Sequence, residues 1–211
     1  MQSSYFSFEE NTSLTYTNYN WKGKVESKQT NTVKDVEQMS DGTVKATLAV
    51  KVEDKKGKET AEMSYEVYCK HNTLEMDFSS MITPEMQASF ENMEVTMSGD
   101  NFQLPSNLKV GMELPNIEVE IAAAMNGFNV MTMRVSQTNR KVEAKETITT
   151  DAGTFECFKL SYDSNLKTIM TMKQHVITWY NEEVGLVKQE LYNKKGKLQS
   201  RQELAAVVKS R

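Results

Sequence analysis

A histidine base in this 211-residue chain would have to be His71 or His175, and a thiol nucleophile Cys69 or Cys157, because the sequence holds no others. His71 stands in CKHNT at the expected end of a strand, where it reads as a solvated turn residue. His175 falls inside a strand among Met and Val, which suits a packed or half-exposed ring better than a general base. Neither cysteine has another cysteine or a histidine three or four residues away, so zinc-type spacing is lacking. His71 is two residues from Cys69, but a pair of potential ligands is not a site. In an oxidising compartment Cys69 and Cys157 could form one disulfide, a pairing that sequence leaves open. Carboxylates are plentiful enough for a glycosidase-like pair, yet Glu182-Glu183 reads as an exposed turn before Gly185. Glu118 and Glu120, two apart on one strand face, meet water or edge a cavity mouth. There is no nucleophile elbow, phosphate loop, dinucleotide fingerprint, zincin helix or calcium loop. The expectation is a protein that is not an enzyme and uses no cofactor or metal.

The bulk composition is that of a soluble globular chain, with 38% hydrophobic and 26% charged residues. No run approaches the roughly 18 apolar residues of a membrane helix. A formal charge of -4, evenly interleaved, gives no reason to expect nucleic acid. Tyr16, Tyr19, Trp21, Tyr65, Trp179 and Tyr180 could stack on sugars or bases, but no basic stripe accompanies them. The last two dozen residues are locally basic, which fits a solvated edge strand or a weak contact with an acidic surface. MQSSYFSFEENTS has no apolar signal core; the mature form of an exported protein, with Met1 added to begin translation and Gln2 its true start, would look the same.

The elements that must position these residues are strands. Asn or Asp, one residue, then Lys-Gly-Lys occurs three times, at Asn20, Asp54 and Asn193, each time between runs of alternating polarity. Asn or Asp opening a turn with Gly in the left-handed region is hairpin chemistry, so the motif marks hairpin tips. Unequal spacing excludes a solenoid repeat. Further tips are expected at Ser40–Thr43, Ser98–Asn101, Asn126-Gly127 and Asp151–Thr154. Val44, Ala46, Leu48, Val50 and Val52 share one face of a strand, and Met63, Tyr65, Val67 and Cys69 continue it in the returning strand. One helix is expected near residues 84–92, capped by Thr83, with Pro84 at its first position and Met86, Phe90 and Met93 on one face. LPSNLKVGMELPN, near 104–116, reads as an irregular crossing between two halves of a meander within a single all-β domain spanning 1–211.

Around Asn126-Gly127, in-register pairing sets Met125 opposite Phe128, Ala123 opposite Val130 and Ile121 opposite Thr132. That leaves Ala122, Ala124, Met131, Met133 and Val135 on the other face, so both faces are partly apolar and something must cover the second. In IMTMKQHVITWY, Met170 and Met172 join Val176 and Tyr180 on one face. Fourteen methionines fill a core in the ordinary case; the alternative is an adaptable, ligand-lined cavity.

The C-terminal half, TTDAGTFECFKLSYDS followed by HVITWYNEEVGLVKQELYNKKGKLQSRQEL, resembles the TapB-like exported bacterial proteins, a family carrying a domain of unknown function. YFSFEENTSLTYTNYNWKGK and LPSNLKVGMEL are similar to that family's other segments. Asp151 stands where the turn would be expected to hold proline, and Asp serves a turn as well. The resemblance implies an exported, envelope-associated protein built on a long-stranded antiparallel sheet, curved like the half-barrels of lipoprotein carriers. It implies no activity and no catalytic residue.

The expectation is therefore an all-β chain of ten to twelve antiparallel strands forming a curved half-barrel or open barrel, with one short helix on its concave face. Its function is expected to be binding of an apolar or lipid-like ligand by that face, lined by Met86, Phe90, Ala122, Ala124, Met131, Met133, Met170 and Met172. The alternative is a structural or interaction protein of the envelope, with a filled core, no small ligand and a protein partner. Periplasmic or envelope localisation accompanies both readings.

Overall fold

The structure, a computed structural model, describes residues 5–77 and 93–209. They form β1 (Ser13–Asn20), β2 (Val25–Gln38), β3 (Val44–Asp54), β4 (Glu59–Lys70), β5 (Thr73–Asp77), β6 (Met93–Gly99), β7 (Phe102–Pro105), β8 (Ile117–Met125), β9 (Phe128–Thr150), β10 (Gly153–Lys167), β11 (Thr171–Asn181), β12 (Gly185–Asn193) and β13 (Leu198–Val208). The helix expected near 84–92, with Met86 and Phe90, lies outside the described residues. Among the described residues the strands number thirteen, above the expected ten to twelve, because the sheet is extended past β4 by two short strands, β5 on β4 and β7 on β5.

All thirteen belong to one antiparallel sheet, in the order β6-β8-β9-β10-β11-β12-β13-β1-β2-β3-β4-β5-β7. It is curved and does not close into a barrel. Two meanders meet in its middle, where β13 pairs with β1. The edge strands β6 and β7 follow one another in the chain yet border opposite edges. Ser98–Asn101 is therefore not a hairpin tip: β6 pairs with β8 and β7 with β5, and the turn carries the chain across the gap. Asp100 fastens that crossing, its backbone N–H donating to Glu118 O (2.8 Å) and its carboxylate accepting from Glu118 N–H (2.9 Å). Only glycine fits at position 99, where φ is +113° and a Cβ would lie 2.2 Å from Glu118 O.

The three Lys-Gly-Lys motifs are hairpin tips with one shared geometry. Asn20, Asp54 and Asn193 each accept two backbone N–H bonds through Oδ1, at 2.7–3.1 Å, from the lysines two and four residues on. Their glycines take the left-handed conformation that ends a three-residue loop. Because the strands alternate in direction, these tips share one end of the sheet with the 126–127 and 168–170 turns, here called the lysine end. The turns at 39–43, 71–72, 151–152 and 182–184 lie at the other, acidic end; the turn residues themselves include Asp41, Asp151, Glu182 and Glu183 and no lysine.

The core lies toward the acidic end. Val33, Leu48, Val67, Leu104, Val142 and Leu160 come from both meanders into one buried cluster, which defines the inner, concave face. The crossing that contains Leu108 and Leu114 packs into it, as does Tyr5 near the N-terminus. The crossing also bonds to β9, where Gly111 N–H donates to Val142 O and Leu114 N–H to Arg140 O, both at 2.8 Å. Arg140, only 4% exposed, completes this closure. Its guanidinium donates to Pro115 O (2.7 Å) and to Gln103 O on β7 (2.9 Å), so it ties β9 to the far edge of the sheet. Burial pulls its pKa below the ordinary value. β9 also curls close to β12 and β13, which are not its neighbours in the sheet. A second cluster, including Tyr16, Cys157, Trp179, Val187 and Leu204, forms a separate packed region.

Candidate functional site

Toward the lysine end the inner face changes character. Pairing places Met97, Ile121, Met133, Val135, Leu166 and Met172 on that one face, across β6, β8, β9, β10 and β11. Met131 extends it, opposite Ala123. Met131 and Met172 are exposed, while Met97, Ile121, Met133, Val135 and Leu166 are half-buried. An apolar surface left this open is unlike the packed cluster at the acidic end.

The expected pairing around Asn126-Gly127 is corrected here. The tip forms as expected, with φ positive at both residues and Met125 opposite Phe128. A bulge then inserts Val130, so Ala123 faces Met131 and Ile121 faces Met133. One extra residue reverses the alternation and turns Met131 and Met133 inward. Ala122 and Ala124 pair with Thr132 and Asn129 on the outer face, beside Glu120, whose carboxylate pairs with Arg134. The outer face of this hairpin is thus polar, and the two-sided apolar reading does not hold. Of the expected lining, Met131, Met133 and Met172 share the inner face, Ala122 and Ala124 do not, and Met170 stands in the 168–170 turn, 77% exposed.

Along the same face, past Thr178 on β11, the lining turns polar. Gln189, Gln202, Asn18 and Gln29 succeed one another across β12, β13, β1 and β2. Gln202 Nε2 donates to Asn18 Oδ1 (3.0 Å), and Gln29 Nε2 donates to Asn31 Oδ1 (2.9 Å). Tyr65 and Tyr180 pack against the core, and burial pushes their phenol pKa values upward, as it does those of Tyr16 and Tyr162, to about 12 for Tyr65 and Tyr162. The inner face thus joins a thioether and aliphatic wall to an uncharged amide wall. Sequence reading missed the amides because Asn and Gln alternate into positions that resemble a solvated strand.

The acid–base candidates lie elsewhere. His175 Nδ1 is 3.0 Å from Asp163 Oδ1, and Asn139 Nδ2 donates to Asp163 Oδ2 (2.8 Å). These bonds, that from Asn139 foremost, hold the Asp163 carboxyl below the usual range. The pair lines an open cleft of about 630 Å³ on the outer face, with Lys173, Tyr192 and Lys194. Among the described residues no serine, threonine or cysteine side chain hydrogen-bonds to His175. Cys69 and Cys157 are both free. The disulfide left open by the sequence is not formed: Cys69 is half-buried on β4 facing Leu74 of β5, whereas Cys157 is buried in the second cluster on β10. Burial pushes the Cys157 thiol up to about 12, away from nucleophile chemistry. Among the described residues no group of three His, Cys, Asp or Glu side chains could hold a metal, and no helix is long and apolar enough to cross a membrane.

Fold and site together define a curled, open antiparallel sheet with a part-open inner surface. The chain belongs to the DUF3108-like family, whose model matches residues 9–204. It is similar to a Bacteroides fragilis protein with a YmcC-like fold, itself considered exported by inference only. The two share 22% identity and a TM-score of 0.77 over 98% of this chain and 100% of that one. A Parabacteroides distasonis protein, considered a lipoprotein on the same footing, matches with 22% identity and a TM-score of 0.76 over 99% and 100% of the two chains. At that identity the likeness concerns the fold alone. No protein of curated function matches the chain.

Proposed function

We propose that the protein is a non-enzymatic, exported protein of the cell envelope, close to the TapB-like proteins in kind, that holds an apolar or lipid-like molecule on the inner face of its sheet. The observation carrying this reading is the unfilled methionine and aliphatic surface around Met133, continuous on one face with the amide row at Asn18, Gln29 and Gln202. Thioether and aliphatic side chains adapt to a flexible chain, and amides bond a polar head without requiring charge. An amphiphile has both parts. The export inferred for the two similar structures supports the compartment.

Titration with a fluorescent fatty-acid analogue tests the reading. Saturable one-to-one binding is expected, weakened at least ten-fold by Met133→Glu and left intact by Ala124→Trp on the outer face. Absence of saturation, or equal binding by Met133→Glu, would sink it. A second reading, an envelope interaction protein, is favoured by the packed acidic end and by the outer position of the Asp163–His175 cleft. Cross-linking in cells that captures one protein at stoichiometric yield, with no ligand released on solvent extraction, would decide for it.

A further inference from the structure

The three Lys-Gly-Lys tips, at 21–24, 55–58 and 194–197, have a structural explanation for Asn, Asp and Gly but none for lysine. The turns are held by backbone N–H groups, which any residue would supply. Among the described ion pairs none includes a lysine of these tips, whereas Lys45, Lys51, Lys141, Lys145, Lys159 and Lys188 on the strands are paired; of the tip lysines Lys22 stands over a ring, its Nζ 4.7 Å from the Trp21 centroid. All three tips lie at one end of a chain whose formal charge is -4.

Large apolar side chains stand out from the same end. Trp21 is 63% exposed within a lysine tip, Phe128 77% beside the 126–127 turn, and Ile169 and Met170 103% and 77% in the 168–170 turn. The sheet order sets the 168–170 turn beside the 194–197 tip, and a cleft between them is lined by Met172, Lys173 and Lys194. Projecting apolar tips flanked by lysines that have no carboxylate partner among the described ion pairs match the two layers of a lipid surface: acyl boundary for one, anionic headgroups for the other. Nucleic acid would use the lysines but leave Ile169 and Met170 without a role.

We infer that the lysine end is a membrane-docking rim that seats the protein on an anionic phospholipid surface, with its acidic end directed away. The repeated turn then serves twice, Asn or Asp and Gly for the hairpin and Lys for the headgroups. This inference is independent of whether the inner face holds a ligand.

Flotation of the full chain with vesicles tests it, comparing phosphatidylglycerol mixed into phosphatidylcholine with phosphatidylcholine alone, at low salt and at about 0.5 M. Binding to the anionic vesicles alone, weakened by salt, is expected. A lysine near the surface contributes about five-fold to binding, so replacing Lys194, Lys195 and Lys197 by Gln should lower it about a hundred-fold. Replacing Lys34, Lys70 and Lys109, which lie toward the acidic end, should leave it within about two-fold, although the charge removed is the same. Ile169→Ser with Met170→Ser should lower it while the salt dependence persists. Failure to float with either vesicle, equal loss from both lysine sets, or retention on polyglutamate in place of vesicles would overturn the inference. Met133→Glu should float as the unsubstituted protein does, which separates this result from the ligand titration.

Discussion

The two ends of the sheet are built from the same alternating strands and differ in what closes them. At the acidic end the crossing through Leu108 and Leu114, the segment at Tyr5 and the Arg140 guanidinium seal the inner face into a core. At the lysine end the inner face runs out into half-buried methionine, and the tips present Phe128, Ile169 and lysine outward. A single sheet can therefore be packed shut at one end and left open at the other. The difference lies in what packs on the strands, and only secondarily in the strands themselves.

The comparison is most easily broken at Arg140. Arg140→Met removes two charge-assisted bonds and leaves Pro115 O and Gln103 O without their donors, so a loss of about 3 kcal/mol is expected by denaturant titration. A change below about 1 kcal/mol would mean that the closed end is not held there. Glu146 offers a subtler test. Its carboxylate accepts from Trp179 Nε1 (2.9 Å) and lies 3.3 Å from Lys159 Nζ, and these contacts, Trp179 foremost, lower its pKa. A carboxyl lowered on folding stabilises above its unfolded value, about 4.3, and the contribution fades as pH falls through the folded value. Glu146→Gln should accordingly reduce stability at neutral pH and flatten its decline below about pH 4.5; an unchanged acid limb would remove Glu146 from the account. Smallest of all, Phe128→Ser should shift stability by less than about 0.5 kcal/mol, since the ring is 77% exposed. A larger loss would show that the lysine end is packed after all.

The hairpins were legible because turn chemistry is local. Asn or Asp with a left-handed Gly leaves few other conformations, and the tips at 21–24, 55–58, 126–127 and 194–197 all form. Ser98–Asn101 has the same composition and does something else, because only the partners of β6 and β7 determine that the turn spans the gap between edges. The inner lining was half legible for a similar reason. Alternation assigns Val44 to Val52 correctly, but the bulge at Val130 carries no composition signal, and it decides which way Met131 and Met133 point. Arg140 had no signal either: its carbonyl partners, Gln103 and Pro115, stand far from it in the chain.

The pairing of β13 with β1 bears on how the chain is made. Ser13 lies opposite Val208, and Tyr16 opposite Leu204, so β13, the last of the described strands in chain order, pairs with β1, the first. Each meander can form hairpins as it emerges, but the two cannot join until β13 is available to β1. During that interval β1 has one bare edge, and its polar, threonine- and asparagine-rich sequence, SLTYTNYN, is poorly suited to pairing with strangers.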